Sequence, residues 1–453
     1  MSLLTERPVN PFDAAEEAPP GALRLRVLVS AYAVSPAQGS EPGLGWNVCR
    51  RLAERHDVTV LCAPGMPGED PDVFRREIGG HLRFEGPIPG LSFHFVEPPA
   101  LSRWLQRETG LRRRTMYYTG YAAWQRAAYR AAEELHRRRP FDVVHQLNIT
   151  GYREPGYLWK LDAPFVWGPV GGAADVPWPF LRTMGWGDRC FYAARNLANA
   201  VQQRLAWRCR RAARAARHVW AIGEENARMV RHRWGRDAET VIESGASARE
   251  DVTPAAADYD GRRPLRVVWS GEHIGRKALP VLLEALAALR TRHRIAVECV
   301  VLGAGPRTTC WRRLAETLGV ADLVRWTGQL PRESALAEVR RAHVMAFTSV
   351  QEGTPHAVME ALSLGVPVVC HDACGMGVAV NERCGMKVPL RDPATSVRGF
   401  ADALAQLAAR PALLHALSEG ALDRARELDW DRNVEAIAAV YAQVAAVAAG
   451  GRR

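Results

Sequence analysis

The chain has 453 residues, of which 47% are apolar and 24% charged, and a formal net charge of +11 at pH 7. That length exceeds one ordinary core and implies two domains of about 200 residues each, and nine mostly distant cysteines, an odd number, exclude a disulfide framework and fit reduced thiols in a cytoplasm. The charge directs attention to anionic ligands or an anionic membrane face, with nucleic acid left open; no apolar run approaches a membrane span, and no basic-then-apolar secretory signal opens the chain.

Residues 1–22, rich in Pro, Ala and Glu, read as a disordered tail. Residues 24–31 read as the first buried strand and 58–63 as the second. Between them Gly39, Gly43 and Gly45 permit a tight loop with close backbone approach, and a helix is expected from about Trp46. Residues 101–139 are basic, aromatic and mainly helical, with Arg112, Arg113 and Arg114 adjacent to one another. Residues 141–147 form a further strand, with His145 near its carboxyl end, where a lone histidine is often structural. A strand at 165–167 leads into a glycine-rich loop, after which Leu197, Val201, Leu205, Cys209, Ala212, Ala216 and Val219 make an arginine-flanked helical stripe. That stripe fits either an ordinary surface helix or a membrane-facing one. Strands at 218–222 and 239–242 precede a hinge at Gly245.

The second half opens with a strand at 264–271, followed by Arg276 and Lys277 before a helix, a pattern that suits a diphosphate. A strand and turn follow at 297–305, and after residues 324–330 comes the most informative stretch, AFTSVQEGTPHAVMEALSLGVPVVC, residues 346–370. It reads as strand, loop, short helix and strand, with Thr354 as N-cap, Pro355 at the first helical position and Gly365 as the stop. Glu352 in the loop and Glu360 in the helix can both reach the space above the strand's carboxyl end, where open α/β sheets bind ligands. Glu360 shares a helix face with His356 and Ser363. Cys370, His371, Asp372 and Cys374 read as strand-end residues, since no second ligand pair follows at zinc spacing.

The run E-G-T-P…E-A-L-x-x-G-V-P-V-V resembles the E-x7-E region of retaining, nucleotide-sugar-dependent glycosyltransferases of family 4, the bacterial glycosyl transferases group 1. The resemblance implies an α/β protein of GT-B fold: two facing Rossmann-like domains, a cleft between them, and a C-terminal helix returning to the N-terminal domain. The domains would be 23–244 with 428–453, choosing the acceptor, and 245–427, holding the donor. By the same resemblance Glu352 lies near the transferred sugar, Glu360 holds the ribose, and Gly353, Thr354, Pro355 and His356 frame the donor. The family segment G-R-L-x-x-x-K-G is matched at Gly271 and Lys277, whereas Glu272 replaces its Arg and Ala278 its second Gly; Arg276 is expected to supply the displaced charge. Gly328, Gln329 and Leu330 fall where the family meets the nucleotide base. The loop with Gly39, Ser40, Glu41 and Gly43 resembles a G-S-E-P-G-x-G-W segment facing the acceptor and the donor phosphates. Where the family carries H-x-H, with one imidazole near the sugar, this chain has His145-Gln146-Leu147.

The expected function is retaining transfer of a sugar from a nucleotide diphosphate to a saccharide or lipid-linked saccharide acceptor, in bacterial surface polysaccharide synthesis, at the inner membrane face. No cofactor or metal is expected, there being no convincing D-x-D, the usual metal-binding signature of the other major glycosyltransferase fold. A sugar-nucleotide epimerase or phosphorylase of the same fold is the nearest alternative. A basic nucleic-acid-binding protein is the alternative from another class, without a recognisable module.

Overall fold

In the computed structural model the described residues are 24–66, 70–106, 111–246, 252–353 and 355–450. The expected tail, Thr354 and the side chains of Arg112, Arg113 and Arg114 lie outside the described part. Apolar runs buried on both faces, such as RVLVSA, give an all-parallel sheet built from β1 (Arg26–Ala31), β2 (Asp57–Cys62), β3 (Leu91–Phe95), β4 (Val143–Asn148), β5 (Phe165–Val170), β6 (His218–Ile222) and β7 (Glu239–Val241). Its strand order is β3-β2-β1-β4-β5-β6-β7. A second parallel sheet contains β8 (Leu265–Ser270), β9 (Val297–Leu302), β10 (Val324–Gly328), β11 (Val344–Phe347), β12 (Val368–His371) and β13 (Gly385–Val388), in the order β10-β9-β8-β11-β12-β13. In both sheets the order reverses beside the first strand, between β1 and β4 and between β8 and β11. The loops leaving those strands open the crevice in which such sheets hold ligands.

The terminal helix, Trp430–Gly450, returns to the first sheet and buries Val434, Ala438, Tyr441 and Val444 in its core. It is also the one described helix long and apolar enough to cross a membrane by length and composition, which corrects the expectation that no run approaches that size. Its alanines carry the hydropathy, while one face is docked on the sheet.

Three local expectations shift. The first helix spans Ser40–Ala53, so Ser40 to Gly45 form its own first turns and not a loop ahead of it. The stripe at 197–219 is two helices, Trp186–Leu205 and Trp207–Ala215, bent at Ala206. Leu197, Val201 and Leu205 are exposed on the first, whereas Cys209 and Ala212 of the second, and Ala216 after it, are buried. The division at 244/245 is also crossed: Val176, Phe180, Leu181, Met184 and Tyr192, from between β5 and β6, join Trp269, Leu279 and Phe400 in the second domain's core. Apolar spacing says that such residues bury, not against which sheet.

Candidate active site

β8 ends at Ser270; Gly271 follows, and a tight helical turn, Gly275–Lys277, precedes the Leu279–Ala288 helix. The turn is laced to the loop after β11. The Val350 N–H donates to the Arg276 carbonyl at 2.9 Å, and Thr348 Oγ1 donates to the Lys277 carbonyl at 2.9 Å. This brings both cations onto Glu352: Arg276 Nη1 and Lys277 Nζ donate to the same carboxylate oxygen, and Ser349 Oγ reaches it at 3.3 Å. Arg276 Nη1 also donates to the Gln351 carbonyl at 2.9 Å. The Glu352 side chain is only 10% exposed. Burial alone would raise its pKa, but Arg276 and Lys277 outweigh burial and hold it below the ordinary carboxylate value. Burial holds Lys277 below the ordinary lysine value despite Glu352. Two cations and one anion, almost out of solvent, leave a net positive charge suited to a phosphate.

Ala278, at the position of the missing glycine, has φ +47°. An L side chain pays about 1–2 kcal/mol there, less the freedom a glycine would lose on folding. Ala278→Gly is therefore expected to stabilise the chain by about 0.5–1 kcal/mol. Chemical denaturation reads this directly, and an unchanged or lowered midpoint would contradict it.

A cleft of about 880 Å³ opens between the domains. Gly39, Ser40 and Gly43 line it from the first domain, Ser244, Gly245 and Ala246 from the hinge, and Arg332, His356 and Glu360 from the second. Glu360 Oε1 accepts from Arg332 Nη2 at 2.9 Å and Nε at 3.2 Å. His356 Nδ1 lies 3.3 Å from Ser244 Oγ across the hinge. The helix carrying them spans His356–Ser363; Pro355, at ψ 93°, caps it and is not its first residue, a one-residue correction. Ser363 is turned back, its Oγ donating to the Met359 carbonyl at 2.9 Å. Gly328 ends β10 at φ +70°, and Gln329 and Leu330 follow it just ahead of the Arg332–Arg340 helix. Gly353 and Pro355 flank the undescribed Thr354 between Glu352 and this helix.

Glu41 does not line this cleft. It is half-buried, and Oε1 accepts from the Thr150 N–H at 3.0 Å and Oγ1 at 2.6 Å, tying the start of the first helix to the loop after β4. Burial raises its pKa against those two hydrogen bonds. Glu41 thus fastens the first turn of the helix to the loop after β4.

His145 is likewise not brought to the cleft. It is fully buried; Nε2–H donates to the Gly168 carbonyl at 2.7 Å, so Nδ1 of the neutral ring accepts the Tyr441 hydroxyl at 2.6 Å. Burial pushes its pKa down to about 4. With half of the H-x-H pair absent, this imidazole fastens the terminal helix to β4. His371 is similarly engaged, by the Ser349 carbonyl at 3.0 Å and Ser396 Oγ at 2.9 Å.

Sequence reading missed Arg332, Ser349 and Gln351. Arg332 meets Glu360 across 28 positions and Gln351 Nε2 donates to the Ala174 carbonyl across 177, at 2.5 Å. Neither has a spacing signal; only Ser349, three residues from Glu352, lay within reach of a local argument.

Residues 263–424 match the family described as Glycosyl transferases group 1. The D-inositol 3-phosphate glycosyltransferase of Streptomyces bingchenggensis is 32% identical over 252 residues, covering 51% of this chain and 53% of that protein. The protein of the same name from Geodermatophilus obscurus is 28% identical over 480 residues, covering 95% and 92%. The chain spans about half the length of the first of these relatives. Among solved structures, that of Anabaena Alr3699/HepE in complex with UDP is similar at a TM-score of 0.56 and 13% identity, covering 92% of this chain and 100% of that one. The chain has the GT-B fold, and its residues 263–424 match the glycosyl transferases group 1 family.

Proposed function

We propose that the chain is a retaining glycosyltransferase using a nucleotide-diphosphate sugar. The observation that carries this reading is Glu352 held by Arg276 and Lys277 at the switch point of the second sheet, with Glu360 on the neighbouring cleft wall opposite the Gly39–Ser40 backbone. When the bond from the anomeric carbon to the diphosphate breaks, the electron pair leaves with the diphosphate, and Arg276 and Lys277 stabilise the charge that develops. The acceptor hydroxyl attacks the face the diphosphate leaves, and its proton passes to a departing phosphate oxygen. Glu352 orients the transferred sugar, and Glu360 holds the ribose. The Gly328–Leu330 segment meets the base, and closure of the cleft excludes water. The Anabaena structure of this fold, solved in complex with UDP, supports a nucleotide ligand.

The acceptor in this reading is a lipid-linked saccharide of surface polysaccharide synthesis, presented at the inner membrane face, which the exposed apolar stripe of the Trp186–Leu205 helix supports. The relatives' name favours a second reading, a soluble phosphorylated acceptor. A sugar-nucleotide binding screen, followed by assays of the best donor with lipid-linked and soluble acceptors, tests both. Isomerisation of the sugar or phosphate-dependent cleavage without any acceptor would replace them with the epimerase or phosphorylase.

Two further outcomes are expected. Transfer should persist in excess chelator, because fixed cations already balance the diphosphate; loss of activity restored by a divalent ion would count against this. The protein should sediment with vesicles of anionic phospholipid at low salt and be released at high salt, each nearby basic residue contributing about 1 kcal/mol. Absence of sedimentation at low salt would end the membrane proposal alone.

A further inference from the structure

Beside the donor cleft lies a second groove, of about 1090 Å³. The loops after β4 and β5 form its floor, with Tyr152, Arg153 and Gly172; the Trp186–Leu205 helix forms its wall. It adjoins the reacting centre through one carbonyl. Ala174 O accepts from Arg195 Nη1 at 3.1 Å and from Gln351 Nε2 at 2.5 Å, and Gln351 precedes Glu352.

The groove has two chemically different parts. At the floor, Arg195 Nη2 donates to the Gly172 carbonyl at 3.2 Å, and Arg153 lies over the Tyr152 ring at 4.8 Å, fixed by Gln202 at 2.8 Å and by Asn199. The two guanidiniums are near enough to repel: burial and Arg153 together hold Arg195 below the ordinary arginine value. A pair of fixed, half-buried arginines is a receptor for a phosphate. Along the wall, Phe191, Ala194, Ala198 and Leu205 face the groove. Leu197, Val201 and Leu205, four residues apart, continue the apolar surface outward at 61%, 54% and 71% exposure, with Trp186 exposed at the helix's start and Trp207 exposed just past its end, at the start of the next helix. Single exposed apolar residues are ordinary; a helical row ending in tryptophans beside a cationic pocket matches one amphiphile, charged at one end and apolar along the other.

We propose that this groove is the acceptor subsite and that its ligand is a phosphate-bearing amphiphile, the phosphate on Arg153 and Arg195 and the hydrocarbon along the Trp186–Leu205 helix. Calling the ligand an acceptor rests on the glycosyltransferase reading; its binding does not.

Calorimetry with dodecyl phosphate below its micellar concentration, inorganic phosphate and dodecyl maltoside tests the proposal on the full chain. Dodecyl phosphate is expected to bind at least tenfold more tightly than either of the others. Ala198→Trp, at an exposed position facing the groove, should weaken dodecyl phosphate at least tenfold while the affinity for the best-bound of UDP, GDP and ADP and the melting temperature stay as in the wild type. Arg195→Gln should weaken dodecyl phosphate and not dodecyl maltoside. Dodecyl phosphate binding no tighter than inorganic phosphate, or equally well to Ala198→Trp, would overturn the assignment. Retained binding of whichever of UDP, GDP and ADP binds the wild type would then show that the donor site stands and the groove alone has failed. Failure of UDP, GDP and ADP alike to bind, with dodecyl phosphate still bound, would fall on the glycosyltransferase reading instead.

Discussion

Lys277→Ala is expected to lower turnover roughly 10²–10³-fold, the loss typical of removing one preorganised group that stabilises developing negative charge. Lys277 and Arg276 now share one oxygen of Glu352, so the resting site stores its positive charge against a carboxylate. A donor diphosphate draws on the same charge, most strongly as the glycosidic bond breaks, and the loss should therefore fall on kcat more than on donor KM. Glu352→Gln is the complementary variant. It frees both cations, so affinity for the free nucleotide diphosphate should hold or rise, whereas turnover falls because the sugar loses its anchor. Breaking a buried ion pair also destabilises, by about 3–5 kcal/mol where burial is complete and less here. Thermal melts therefore accompany the kinetics. Two folded variants with wild-type kcat would remove Glu352 and Lys277 from the reaction altogether.

What was legible in the sequence follows the range of each signal. Strand, loop, helix and strand around Glu352 and Glu360 could be read because the determinants are local: an apolar run, Gly353 and Pro355, and Gly365, whose φ of +68° ends the helix. The convergence of Arg276, Lys277 and Glu352 came from topology, since β8 and β11 are neighbours at the switch point. Helix starts moved where glycine was read as a breaker; Gly43 and Gly45 sit inside the first helix, close against the Gln38 and Ala33 carbonyls, where no side chain would fit. The bond from Glu41 to Thr150 could not be read, because a carboxylate paired with a residue 109 positions away carries no mark in its own segment. His145 was drawn toward the sugar by a family pattern of which this chain keeps half. The entry of residues 176–192 into the second core depends on tertiary packing alone, and no periodicity within that segment could report it.

Glu360→Ala should weaken nucleotide diphosphate binding by about 1–3 kcal/mol, or roughly 5- to 150-fold, through loss of the ribose hydrogen bonds. The resting structure offers a competing account, in which Glu360 is merely the partner of Arg332. Exposure decides between them. The Arg332 side chain is 77% exposed and Glu360 34%, and an ion pair so open to water contributes at most about 1 kcal/mol, less in salt. If pairing were its whole role, Glu360→Ala and Arg332→Ala would have equal and small effects on stability and none on affinity. In the ribose reading the two variants separate. Arg332→Ala releases Glu360 for the ligand while removing one cation from the cleft, and these opposed effects should leave affinity within about threefold of wild type. Glu360→Ala loses the acceptor oxygens outright. Calorimetry with UDP, GDP and ADP on the three proteins, at low and high salt, resolves the question. An affinity loss confined to Glu360→Ala and insensitive to salt supports the ribose contact. Equal losses in both variants that vanish in salt would reduce Glu360 to a surface ion pair and withdraw it from the donor site.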